Sequence, residues 1–378
     1  MSPKYIFYTF VLLFLISCKR TSDNKPIQNL EKKNRITHAK GFTLQEYSKY
    51  KKLTILTSFQ RSDTKHEYYL ISKSETIIDS LKEKNIIRIP IERIVVTSTT
   101  HIPMLELLGA ENTLVGFPNT KYISSQKTRQ LIDQNQIKEL GKEQNINTEI
   151  LIDLQPELVV GFGVSNTSKV FENIQKMGVP VIMNSDWLEK TPLGRAEWLR
   201  FFGALYDKDS LALTKFNTIV NNYNSIKEKA AKIKQKPSLM SGSLFQDVWH
   251  IPAGESFIAQ YLKDAQTNYI WKDTKGTGSI PLSLEVVLDQ GKNADFWISP
   301  GYNTTKKMML QESAHYTEFK AFQTNKIYTN ALKKGETGGI IYFELATTRP
   351  DLVLQDMVQI FHPEIFPAKE MTFFNKVE

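Results

Sequence analysis

The sequence is poor in the residues that build covalent staples and bare-metal sites. One cysteine, Cys18, stands in 378 residues, so no disulfide framework and no cysteine-based zinc cluster can form within the chain. Only six histidines occur, and none lies between His101 and His250. A transition-metal ion needs several His, Asp or Glu groups converging on it, and the chain has few imidazoles to offer. Catalytic signatures are missing as well. There is no Walker-type phosphate loop, no G-x-S-x-G elbow and no H-E-x-x-H, and Gly276-Thr277-Gly278-Ser279 lacks the rest of any nucleotide fingerprint. These absences point away from an enzyme, a resident metal or a cofactor. The net charge of +8 is moderate and its lysines are dispersed. Even the cluster from Lys227 to Lys236 is interrupted by Glu228 and reads as a solvated helix face. A nucleic-acid surface would gather its basic groups on one side with aromatics between them, so nucleic acid is not an expected partner.

Long apolar runs are also scarce. Lys4 precedes a stretch from Tyr5 to Ile16 of about a dozen residues, short of the roughly 20 needed to span a bilayer. It matches the charged and apolar regions of a secretory signal. The run ends in Leu15-Ile16-Ser17-Cys18, which resembles the bacterial lipoprotein signal, where cleavage before a cysteine frees it to carry lipid. Residues 1–17 are then the signal and residues 18–36, polar and without apolar period, a tether. The expected location is outside the cytoplasm, lipid-anchored to a bacterial membrane. Residues 37–90 hold two β-prone runs, Lys52 to Thr57 and Glu67 to Ile71, split by Gln60-Arg61-Ser62-Asp63. This reads as a hairpin in a small β appendage.

From Arg93 onward, short apolar strands alternate with helices. Arg93 to Thr97, Leu114 to Phe117, Leu158 to Phe162 and Val181 to Asn184 are continuous apolar runs, the mark of a parallel sheet covered on both faces. Residues 91–193 form one α/β lobe. Residues 194–236 are helical, and the segment from Asp209 to about Lys234 is long enough to act as a spine of roughly 40 Å. Strand–helix alternation resumes over residues 237–378, giving a second Rossmann-like lobe. The two lobes echo each other. Glu149-Ile150-Leu151-Ile152-Asp153 precedes the strand at Leu158 and Gly161-Phe162-Gly163, as Glu285-Val286-Val287-Leu288-Asp289 precedes the strand at Phe296 and Ser299-Pro300-Gly301. Two α/β lobes on a rigid helix leave a cleft between them, and clefts at domain interfaces bind ligands.

The chain from Arg93 resembles the helix-hinged periplasmic binding proteins for ferric siderophores, haem and cobalamin that serve ABC importers. Arg93 to Ser98, Leu107-Leu108-Gly109 to Val115-Gly116, and Glu149 to Val160 carry the likeness. It implies that Glu149 and Glu285, one per lobe, dock onto a permease dimer, and that the chain works as a monomer without catalysis. Cleft residues belong on loops at the C-terminal ends of strands. These are Thr99, His101, Lys121, Phe162 and Trp187 in the first lobe, and Trp249, Trp271, Tyr302, Tyr342 and Arg349 in the second. Tryptophans and Tyr302 could wall a bulky chelate, and Lys121 or Arg349 could pair with its carboxylate or catecholate. The resemblance leaves the ligand open among a ferric siderophore, cobalamin and haem, the last able to use His101, Tyr302 or Tyr342 as an axial ligand. An iron chelate is favoured, with cobalamin next. A bare transition metal, or a role as a surface lipoprotein partnering an outer-membrane receptor, are the alternatives.

Overall fold

A computed structural model describes residues 34–57, 64–163, 168–367 and 369–378; the proposed signal, Cys18 and most of the tether lie outside them. Two α/β lobes each carry a five-stranded sheet. In the first lobe the order is Val181–Asn184, Leu158–Phe162, Ile94–Val96, Leu114–Phe117 and Lys138–Glu139, every pair parallel. The first four strands are buried along most of their length, as doubly covered parallel strands must be, while the edge strand Lys138–Glu139 is exposed. In the second lobe the order is Asn268–Tyr269, Ser238–Ser241, Phe296–Ile298, Ile327–Thr329 and Asn375–Lys376, parallel except for the last. A three-stranded antiparallel sheet of Ser243–Phe245, Val248–Pro252 and Ser279–Leu282 is added to this lobe.

The spine is the 22-residue helix Asp209–Ala230, about 33 Å long at 1.5 Å per residue. It stops short of the expected Lys234. Lys208 holds its N-cap position, and Asp209 pairs with Lys51 at 2.5 Å. Its buried face is divided between two cores. Ala212, Phe216 and Ile219 join the first lobe's core, and Tyr223, Ile226 and Ala230 join the second's. Val220 packs against both. One rigid element is thus welded into each lobe. The helical stretch before it is broken into Pro192–Ala196 and Leu199–Leu205.

The N-terminal segment is more than an appendage. The hairpin is present, Lys51–Ile55 against His66–Ser72, within a four-stranded sheet completed by Phe42–Glu46 and Ile86–Ile89. Phe42, Leu53, Ile55, Leu70 and Ile87 share one core with Ile94, Trp198 and Phe202. Each such side chain contributes about 1.5–3 kcal/mol on burial. Two buried carboxylates fix the approach. Glu197 accepts the N–H groups of Thr37, His38 and Ala39, and Glu189 accepts those of Lys40 and Gly41 and the indole N–H of Trp198.

Candidate functional site

A cavity of about 540 Å³ opens between the lobes. Its second-lobe wall is built from the C-terminal ends of three parallel strands, at Ser241-Gly242, Ile298-Ser299 and Asn330. Ligands bind outside the carboxyl ends of strands in open α/β sheets because the diverging loops leave a crevice there. Ser299 and Gly301 adopt positive φ, 55° and 63°, and this turn brings Tyr302, 70% exposed, to the cavity. Tyr342 and Phe343 line the cavity from the helix Ile341–Leu345. Their rings lie 5.8 Å apart, and Phe343 is 6.4 Å from Tyr302. Burial pushes the Tyr342 phenol up to about 12, so it is a neutral hydroxyl at ordinary pH.

The first lobe supplies Trp187 and Arg195. Trp187 follows the strand Val181–Asn184, and its indole N–H is buried without a partner among the described residues. Arg195 comes from the short helix Pro192–Ala196 and donates to the carbonyls of Trp187 at 2.6 Å and Glu189 at 3.4 Å. Its guanidinium lies 3.5 Å from the ring centroid of Phe257 in the second lobe, a cation–π contact across the seam. Burial lowers the Arg195 pKa, and nearby Asp186 opposes that shift. Asp186 is itself pushed up to about 6, by burial more than Arg195 pulls it down. A planar cation stacked on an aromatic ring suits a carboxylate, catecholate or other anionic oxygen group.

Of the ten expected cleft residues, Trp187, Tyr302 and Tyr342 line this cavity. Thr99 and Phe162 line a smaller one of about 320 Å³ beside it. The other five are placed elsewhere. Trp249 is fully buried and packs 5.2 Å from Trp297. Strand alternation turns it inward while its neighbour His250 reaches the cavity. Trp271 is buried and donates to Gln290 at 2.7 Å. His101 points into the first-lobe core beside Phe202; both ring nitrogens lack partners among the described residues, and burial pushes its pKa down to about 3. Arg349 forms a two-bond pair with Asp351, both bonds 2.8 Å, and braces the start of the helix Pro350–Phe361. The Lys121 ammonium lies 5.1 Å from the Tyr122 ring, and Lys121 lines neither cavity. The cleft cation is Arg195, which the strand-end rule missed because it sits on a helix. One signal was available: Arg195, Glu197 and Arg200 interrupt an otherwise apolar run from Leu193 to Leu205, and charges kept among core residues are paired or placed for use.

Glu149 and Glu285 occupy the same position in two matching helices, the second residue of Thr148–Asp153 and of Leu284–Gly291. Asn147 and Ser283 cap them by accepting from Ile150 and Val286. Both glutamates are exposed. Among the described residues, neither has an ion-pair partner, and no group of three or more His, Cys, Asp and Glu could hold a metal ion. No described helix is long and apolar enough to cross a membrane.

A family model described as periplasmic binding protein matches residues 94–331. An uncharacterized lipoprotein of Methanocaldococcus jannaschii is 24% identical over 329 residues, covering 83% of this chain and 76% of the relative. Among solved structures, a possible iron-binding (periplasmic solute-binding) protein of Staphylococcus epidermidis aligns with a TM-score of 0.58 at 16% identity, over 72% of this chain and 100% of that one. A periplasmic heme-binding protein of Pseudomonas aeruginosa aligns with a TM-score of 0.57 at 15% identity, over 76% and 98%. Likenesses at such identities speak to the shared fold.

Proposed function

The chain belongs to the periplasmic binding protein family, and from that premise we propose that it captures a bulky metal chelate between its lobes and delivers it to an ABC importer. The observation that carries this reading is the 540 Å³ interlobe cavity with Trp187, Tyr302 and Tyr342 as walls and Arg195 as its cation. Its size falls in the range of small-molecule pockets, roughly 300–1,000 Å³. Aromatic faces suit the apolar periphery of a chelate, and a guanidinium suits its anionic oxygens. That combination favours an iron–siderophore complex over cobalamin, which brings little anionic oxygen beyond its phosphate. Haem remains a second reading because the exposed Tyr302 lines the cavity and a phenolate can ligate haem iron. Incubation with a ferric catecholate, a ferric hydroxamate, cyanocobalamin and haemin, followed by desalting and a visible spectrum, tests the proposal. Retention of an iron chelate's colour supports it; a protein that retains none of the four refutes it.

Delivery requires a membrane address and a dock. Cys18 supplies the first as the lipidated N-terminus of the mature chain, and several acyl chains at about 0.8 kcal/mol per buried methylene make the anchor stable. Cys18→Ser should move the protein from the membrane to the soluble fraction with its ligand affinity intact. A variant that stays with the membrane would contradict the anchor. Glu149 and Glu285 supply the dock, exposed carboxylates free to meet arginines on the two permease subunits.

A further inference from the structure

The smaller cavity has a chemistry of its own. It lies under the C-terminal ends of three first-lobe strands, where Thr97, Phe117 and Phe162 are found, and the second lobe closes it with Phe343. Four aromatic residues line it: Phe117, Tyr122, Phe162 and Phe343. One carboxylate joins them, Glu143, the only formally charged residue of the lining among the described residues. Glu143 sits at the turn between the paired strands Gly141–Lys142 and Asn145–Ile146.

Among the described residues, the Glu143 side chain is held from one side only. The Thr97 hydroxyl accepts the N–H of Phe162 at 2.9 Å and donates its hydrogen to Glu143 Oε1 at 2.9 Å. Among the described residues, no lysine, arginine or histidine forms an ion pair with Glu143. Burial therefore goes uncompensated and pushes the carboxyl up to about 7, against the pull of Thr97, with no charged group contributing. A partly buried carboxylate without a cation is costly to keep. Aromatic rings attract cations through their negative faces and are the usual walls of alkylammonium sites. The Tyr122 ring already draws one cation, the Lys121 ammonium at 5.1 Å. An anion would be repelled by Glu143, and a neutral apolar group would leave its carboxylate desolvated and unpaired. A metal ion would lack further ligands, since no metal-binding group of three acidic or imidazole side chains exists among the described residues.

We propose that this compartment is a binding site for an alkylammonium group, its quaternary nitrogen set among the four rings with Glu143 as counter-ion. The site adjoins the chelate cavity, and Phe343 lines both. An alkylammonium occupant would therefore touch, through one ring, whatever fills the larger space.

Calorimetric titration of the full mature chain with choline and with 3,3-dimethylbutan-1-ol, its neutral isostere, tests the assignment. Choline should bind at pH 8, and the isostere at least about tenfold more weakly, since it keeps the shape and loses the charge. Glu143→Gln retains an acceptor for Thr97, so folding should survive while choline affinity falls by about tenfold or more. Tyr122 is 54% exposed, and Tyr122→Leu should weaken choline without a loss of thermal stability. Affinity should also fall by up to about tenfold from pH 8 to pH 6, in proportion to the ionised fraction of a carboxyl titrating near 7. Equal binding of choline and its isostere, unchanged choline binding by Glu143→Gln, or no choline binding by the folded chain would each overturn the proposal. None of these results bears on retention of a coloured chelate, which reads the larger cavity.

Discussion

The Glu344 carboxylate, on a second-lobe helix, accepts the backbone N–H groups of Ser124 and Ser125 in the first lobe at 2.6 and 2.9 Å. Glu106 faces the same segment, accepting from the hydroxyls of Ser125 and Thr128. Burial pushes Glu344 up to about 7; the two N–H groups pull it down and the Glu106 charge adds to the rise. A carboxyl whose pKa is higher in the closed, folded chain than in water stabilises that state fully below about pH 4.3, its unperturbed value. The contribution is lost as pH rises through 7. Glu143 and Asp186, raised to about 7 and about 6, act with the same sign. Below about pH 6.5 the buried, neutral His101 acts with the opposite sign, so thermal melting should show falling stability from about pH 6.5 to pH 8, and Glu344→Gln should flatten part of that slope. A slope of opposite sign, or one untouched by the substitution, would contradict the assignment. At this scale the sequence was an uneven guide. It marked Trp187 and Tyr302 at strand ends, yet Trp249 and Trp271 carry the same residue type into the core. Residue identity does not tell a wall from a core position; in Val248–Pro252 strand alternation separates Trp249, turned inward, from its neighbour His250, turned outward.

Among the elements, the two short helices that begin at Thr148 and Leu284 repeat one design: a capping side chain, then an acid at the second position, then a buried aliphatic face at Leu151 or Val287. An acid there complements the helix N-terminus by about 0.3–1 kcal/mol, which accounts for either residue alone. Matching exposed acids on both lobes fit a two-subunit dock, where desolvated charge pairs reach several kcal/mol. Glu149→Ala with Glu285→Ala should leave ligand affinity and melting temperature nearly unchanged and cut uptake in vesicles carrying the cognate permease by tenfold or more. Normal uptake by the double variant would remove the docking role. The repeat was legible because local pattern sets a cap and an amphipathic face. The role of the N-terminal sheet was not. Its strands were readable from alternation, but its union with the first-lobe core rests on Glu197 and Glu189, which lie about 150 to 160 residues away in sequence from the backbone they hold.

On the scale of the whole molecule, the spine helix divides its buried face between two cores, so hinge opening must bend a welded element rather than swing on loose strands. Small lobe movements around a largely preformed cavity follow. Arg195 stands at the seam, bonded to first-lobe carbonyls and stacked on Phe257 of the second lobe, so a ligand anion there would engage both lobes at once. The central claim is that this cavity holds an anionic metal chelate. Fluorescence or absorbance titration of the unaltered chain, Arg195→Lys and Arg195→Met with a ferric catecholate tests it most directly. A charge-assisted hydrogen bond contributes about 1.5–3 kcal/mol, so Arg195→Met should bind roughly 10- to 100-fold more weakly, with Arg195→Lys in between. If Arg195→Met, folded and with an unchanged melting curve, binds the chelate as tightly as the unaltered chain, the ligand does not sit where this account places it.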